Sequence, residues 1–210
     1  MSRKEEIPFA LQKACTDWTG ALEAMESRDR RMDFIQRALP ELMKDRNLFF
    51  EILDRIASGA SYPDTRRATL FSTEIVLFLH ERRAFSLRML LARPGQATPI
   101  HDHNAWGVIS PLVGLLGVIR YERLDDGSRE TVANIRESSH RVLRPFETET
   151  VLPLNEGIHR TGNEGDGVLV MISVYGRPGR RNHVLEFDPT RGRVTYTPRA
   201  LRNDCWPGRP

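Results

Sequence analysis

Apolar positions follow two regimes along this chain. Up to about residue 60 they recur at helical intervals, loosely around Leu11, Trp18, Leu22 and Met25. The spacing then tightens at Phe34, Ile35, Leu39, Leu42, Met43, Phe49, Ile52, Leu53 and Ile56. This pattern predicts helices. Pro40 is expected to open a second helix or kink the first, because its ring has no N–H to give an interior ladder. SGASYPD, residues 58–64, reads as the end of the helical region, and the helices are expected to pack against a sheet.

Beyond residue 64 the period shortens. EIVLFLH (74–80) and FSLRMLLA (85–92) read as strands joined by the polar turn ERRA. Shorter strands are expected over 117–124, 131–135, 141–143, 148–152, 168–175, 184–187 and 194–197, with Asp126-Gly127 as a hairpin signal. Many short strands separated by turns predict a mostly-β fold, a sandwich or barrel of jelly-roll type preceded by helices. The expected division is a helical segment over 1–64, packed on a barrel over 65–210 that ends in a tail.

Composition narrows the function classes. A chain of 210 residues with 40% hydrophobic content can build one sizeable core and an appendage. No apolar run approaches membrane-spanning length, and the MSRKEEIPFALQKA start lacks the apolar region of a signal peptide. A cytoplasmic protein without a membrane partner is expected. Cys15 and Cys205 stand near opposite ends, away from any metal-ligand spacing, which argues against a disulfide framework or a zinc ribbon. Net charge is only +3, and the late arginines lack interleaved aromatics, so no nucleic-acid partner is expected. Nothing in the pattern sets an oligomeric state.

Candidate chemistry concentrates in 94–114, PGQATPIHDHNAWGVISPLVG. On an extended strand, His101 and His103 would project to one face and Asp102 to the other. Two neutral imidazoles on one face make half a transition-metal site; the competing reading is a pair of surface or core-satisfied histidines. A third ligand should come from a later strand. His159, set after a turn in NEGIHR, is favoured over His140 in the polar SSHR run and over Glu156 before the turn glycine.

These residues resemble a known group. Gly95, His101-x-His103 and Gly114 look like the first cupin motif, and His159 with Asn163 looks like the second. More narrowly, PIHDHNAWG and IHRTGN resemble the thiol dioxygenases of the cysteine dioxygenase type I family, in particular the bacterial 3-mercaptopropionate dioxygenase branch. The likeness covers about 85–175. It implies a cupin barrel (a double-stranded β-helix) holding a mononuclear non-haem Fe(II) through His101, His103 and His159. It also implies oxygen insertion into a small carboxylated thiol to give a sulfinate, with the thiol and O2 as partners. Three histidines also accept nickel, zinc, manganese or copper.

The chain departs from the family pattern in several places. The usual cupin glutamate aligns with Gly107, which is also where animal cysteine dioxygenases carry a cysteine cross-linked to tyrosine. The family's Ser-x-His-x-Tyr run aligns with Met171-Ile172-Ser173-Val174-Tyr175, keeping only the tyrosine, the implied catalytic residue. The position of the carboxylate-binding arginine of the animal enzymes aligns near Ile75; in the mercaptopropionate branch that arginine lies beyond the tyrosine, so the resemblance implies Arg180 and Arg181 as the substrate-binding residues. Two rival functions share the ligand set: a metal-dependent cupin oxygenase or isomerase acting on a non-thiol, and a non-catalytic metal sensor.

Overall fold

The computed structural model describes residues 8–58, 74–80, 84–179, 181 and 183–198. Three helices come first: α1 (Phe9–Glu23), α2 (Arg28–Met43) and α3 (Arg46–Ala57). Each presents one buried stripe at three- and four-residue spacing: Leu11, Cys15, Trp18 and Leu22 on α1, Met32, Ile35, Leu39 and Met43 on α2, Leu48, Phe49, Ile52 and Ile56 on α3. Ser27 caps α2 by accepting from the Arg30 N–H at 3.1 Å, and Asp45 caps α3 by accepting from the Leu48 N–H at 3.3 Å. The expectation that Pro40 opens a helix is corrected. Pro40 sits inside the last turns of α2, and α3 begins instead at its Asp45 cap.

Eleven strands follow within the described residues: β1 (Glu74–Leu79), β2 (Phe85–Ala92), β3 (Ile100–His101), β4 (Gly107–Val113), β5 (Leu116–Arg123), β6 (Ile135–Leu143), β7 (Glu149–Val151), β8 (His159–Asn163), β9 (Leu169–Gly176), β10 (His183–Asp188) and β11 (Arg193–Pro198). They form two sheets, ordered β1-β2-β9-β4-β7 and β11-β10-β3-β8-β5-β6, in which every described pairing is antiparallel. Within them β2 to β9 fall into the blocks 2-9-4-7 and 3-8-5-6. That is the eight-strand, double Greek-key order of a jelly roll.

Alternation along the strands places the cores. On the five-stranded sheet, Leu87, Met89, Val108, Leu112, Val170, Ile172 and Val174 face outward and merge with the helical stripes into one buried cluster. The alternate positions face inward, where Leu90, Ala92, Ile109, Leu169 and Met171 meet Leu116, Val118, Leu143 and Val151. The helices therefore cover one sheet from outside and leave the barrel interior to the strands. The division drawn at residue 64 lies outside the described residues.

One local expectation is corrected and one sharpened. The stretch expected as a strand at 131–135 is loop as far as Asn134, with one bridge from Val132 to Arg193, and 141–143 is the end of a longer strand, β6, whose middle is exposed and polar while Ile135 and Leu143 are buried at its ends. An edge strand with two wet faces carries no alternation to read. Asp126-Gly127 does lie between two paired antiparallel strands, β5 and β6, though not in a tight turn. It lies in a longer loop before β6, organised by Asp125, whose carboxylate accepts from Arg123 Nε (2.8 Å) and from the N–H groups of Gly127 (2.9 Å) and Asn134 (2.5 Å).

Candidate metal centre

β3 is short and sits between two longer partners. His101 lies opposite His159 of β8 on one side and Glu186 of β10 on the other. Gly95, at φ +72°, supplies the left-handed turn leading into this segment, and its N–H donates to the Asn163 carbonyl (3.1 Å). A single 3-10 turn, Leu154–Gly157, delivers the chain to His159, and the Leu154 N–H donates to the His103 carbonyl (2.7 Å). Three buried imidazoles thus converge, with one nitrogen from each of His101, His103 and His159 all within 4.8 Å of one another.

The geometry fits a shared cation. Nε2 of His103 and Nε2 of His159 are 3.1 Å apart. Two nitrogens bonded to one metal at about 2.1 Å are separated by about this much when they subtend a right angle. Nδ1 of His101 is 2.9 Å from the Pro99 carbonyl, which can only accept, so the proton sits on Nδ1 and Nε2 carries the lone pair. Burial lowers the basicity of all three rings, strongly for His103 and His159, where neighbouring His101 adds to the effect. Asp102 and Glu186 partly offset it at His101. Neutral imidazoles are the ligating form.

Asp102 points away from the rings, as the alternation predicts. It is fully buried, and its Oδ1 accepts from Arg181 Nη2 (2.6 Å) and the Leu185 N–H (2.8 Å). Asn104 Nδ2 donates to the carbonyls of Arg181 (2.9 Å) and His183 (2.6 Å), and its Oδ1 accepts from Arg181 Nε (2.7 Å). The HDHN run therefore supplies ligands from one face and fastens the start of β10 with the other. Arg181, expected to hold a substrate carboxylate, has its guanidinium against Asp102 and Asn104. Arg180 lies outside the described residues.

Tyr175 stacks on His103, with ring centroids 5.1 Å apart and planes at 17°. Its cross-strand partner is Gly107, where an added Cβ would stand 2.5 Å from Tyr175 Cδ1. The position that carries glutamate or cysteine in the resembled families is thus covered by the tyrosine ring. Next to it a Cβ on Gly176 would collide with the Trp106 indole, so Trp106–Gly107 and Tyr175–Gly176 form a reciprocal ring-on-glycine pair. Burial and the charge of Glu74 push the Tyr175 phenol well above its ordinary range, while Arg88 and the nearby Ser173 hydroxyl pull the other way. The phenol stays protonated at neutral pH.

No protein-family profile matches this chain. Among solved structures it is similar to an oxalate oxidase in complex with the substrate analogue glycolate (25% identity over 46% of this chain, TM-score 0.36). This chain spans 44% of that protein's length. It is also similar to a cupin 2 domain-containing protein from Halorhodospira halophila (16% identity, 58% of this chain and 73% of that one, TM-score 0.43). A third is a putative sugar phosphate isomerase from Acidithiobacillus ferrooxidans (16%, 57% and 65%, TM-score 0.38). What decides the architecture is the strand order, with His101 ending β3, His103 just beyond it and the third histidine opening β8. The fold is a cupin barrel.

The cupin barrel separates the candidate ligands cleanly. His140 lies on β6 rather than in a loop, half-exposed, with Nε2 2.7 Å from Glu164 Oε1. Glu156 is exposed and paired with Arg28 at 3.2 Å. Asn163 is buried as a lock, donating to the carbonyls of Ala92 (3.0 Å) and Gly167 (2.7 Å) and accepting from the Gly165 N–H (2.9 Å). Four charged groups near the rings were missed in the sequence, one of them Arg120, opposite His159 and paired with Glu149. Glu186 stands across from His101, accepting from Thr197 Oγ1 (2.7 Å). Arg88 and Glu74 pair at 3.0 Å beside Tyr175. The available signal was an arginine inside the apolar run of FSLRMLLA, at a position of inward parity.

Proposed function

We propose that this chain is a mononuclear non-haem Fe(II) dioxygenase that inserts O2 into a small carboxylated thiol. One thiol and one dioxygen give one sulfinic acid, both oxygen atoms ending on sulfur. The observation that carries the reading is a buried donor set of three neutral imidazoles with no carboxylate among them. Bound there, the iron would supply the redox chemistry and an uncompensated 2+ charge suited to a thiolate. His101, His103 and His159 hold the ion, and the Pro99 carbonyl fixes the ligating tautomer of His101. Tyr175, kept protonated by burial and stacked on His103, offers an O–H donor beside the reacting groups.

Glu186 favours a second reading. A carboxylate opposite His101 brings negative charge to the rim, which suits a cupin oxygenase or isomerase acting on a non-thiol. A metal sensor without turnover shares the same ligands. The test is oxygen uptake and sulfinate yield by iron-loaded protein with 3-mercaptopropionate, cysteine and cysteamine. Stoichiometric sulfinate from 3-mercaptopropionate, at higher kcat/KM than from cysteine, is the expected result. Full iron occupancy with no thiol oxidised would overturn the thiol reading in favour of the second.

A further inference from the structure

With Arg181 bound to Asp102 and Asn104, a carboxylated substrate needs another cation, and the barrel wall carries one. Along β2, Phe85, Leu87 and Met89 face the helices, while Leu90 and Ala92 face the interior; Ser86 and Arg88 share that inward parity. Arg88 is directly opposite Ser173 of β9, and its guanidinium carbon lies 5.3 Å from the centre of the Tyr175 ring. Arg88 and the ligand His103 thus both lie against the Tyr175 ring. Arg88 is close enough to depress the basicity of that imidazole.

Its donors are only partly used. Nη1 donates to Glu74 Oε2 and Nε to Ser86 Oγ, both at 3.0 Å. Nη2 makes no hydrogen bond among the described residues, although the side chain is only 14% exposed. Ser173 Oγ, on the facing strand and fully buried, makes no hydrogen bond of good geometry among the described residues, its polar neighbour being the Tyr175 phenol that it influences. An unused N–H edge in a dry interior is unfavourable, and on a strand pair shared with a buried hydroxyl it marks a place shaped for an acceptor. Ser173 stands where the resembled family carries histidine, and its smaller side chain leaves room for a guanidinium on the neighbouring strand.

We propose that Arg88 is the anion anchor of this site. Its Nη2 edge and the Ser173 hydroxyl take the carboxylate of a small acid whose other end reaches the three histidines, and Glu74 is the positioning residue that aims the guanidinium. A guanidinium already fixed by one ion pair loses little further freedom when it binds a carboxylate. The proposal deepens the dioxygenase reading by naming the substrate-holding residue. Its binding component stands apart from turnover.

The experiment measures dissociation constants of iron-loaded wild type, Arg88→Gln and Arg88→Lys for 3-mercaptopropionate, propionate and ethanethiol. Iron content and melting temperature are recorded for each. In Arg88→Gln both carboxylates are expected to weaken at least tenfold while ethanethiol is unchanged, and Arg88→Lys should recover part of the loss. If Arg88→Gln fails to fold, the Glu74→Gln/Arg88→Gln double variant, which leaves no buried unpaired charge, carries the same expectation. Equal carboxylate affinity in wild type and variant, equal loss for all three probes, or no carboxylate binding by wild type would each overturn the anchor. Carboxylate binding that depends on Arg88, without oxidation of any thiol, would uphold the anchor while overturning the dioxygenase reading.

Discussion

The two ends of the barrel interior are built from the same strands and behave oppositely. Along β2 the inward series changes from Leu90 and Ala92 to Ser86 and Arg88; along β9 from Leu169 and Met171 to Ser173 and Tyr175; along β5 from Leu116 and Val118 to Arg120. The apolar end closes the core by burial alone. The other end gathers imidazoles, a phenol and charged side chains, among them three ion pairs: Arg88 with Glu74, Arg120 with Glu149, Arg181 with Asp102. A strand can therefore serve stability in one half and chemistry in the other. The polar half holds together only while its pairs stay intact.

The sharpest way to break this contrast is Arg181→Ala. It would leave Asp102, fully buried, with only the Leu185 N–H on the oxygen that both share. Removing one partner of such a pair costs about 3–5 kcal/mol. Chemical denaturation should show that loss, together with weaker metal retention, because Asp102 lies between two ligands. A variant with normal stability and a raised KM for carboxylated thiols alone would instead restore Arg181 as a substrate-binding residue. Leu116→Ala probes the opposite end. A fully buried leucine replaced by alanine should lower stability by about 2–5 kcal/mol while metal content stays at the wild-type level.

Much of this contrast was legible in the sequence, and the reasons for the misses are physical. His-x-His has one strand parity whichever sheet it joins, so His101 and His103 could be paired from spacing alone, with Asp102 on the reverse. The helical stripes were visible because their period persists for three or more turns. β6 was read short because an edge strand imposes no alternation, and Pro40 left two readings open because a proline late in a helix removes only one ladder bond. Arg88, Glu74 and Glu186 escaped notice because each depends on which strands become neighbours. Only the β1-β2-β9 and β11-β10-β3 orders bring them to the rings.

Two smaller effects sharpen the account of the polar end. Gly107→Ala drives a methyl into the Tyr175 ring and towards the Val174 carbonyl, 3.1 Å from the added Cβ. Overpacking of this kind costs about 1–3 kcal/mol, and the ring must leave its stack on His103. Tyrosine fluorescence or ring NMR shifts, read alongside the melting temperature, should report that movement; an unchanged ring environment would contradict the packing. The imidazoles give a milder pH effect. Unfolded histidines titrate at about 6.5 and the buried ones lower, so below that pH the unfolded chain binds more protons. Metal-free protein should therefore lose about 1–2 kcal/mol of stability from about pH 7 to about pH 6, and His159→Gln should flatten that slope.

The central claim is that His101, His103 and His159 jointly hold one metal ion at the polar end. Metal analysis of wild type, His159→Ala and His140→Ala, each purified after iron supplementation, tests it most directly. One equivalent of metal is expected in wild type and in His140→Ala. His159→Ala should retain almost none, since losing even an outer partner of a ligand costs about 10–100-fold in affinity and losing the ligand itself costs more. Full occupancy in His159→Ala, or its loss in His140→Ala, would contradict the account.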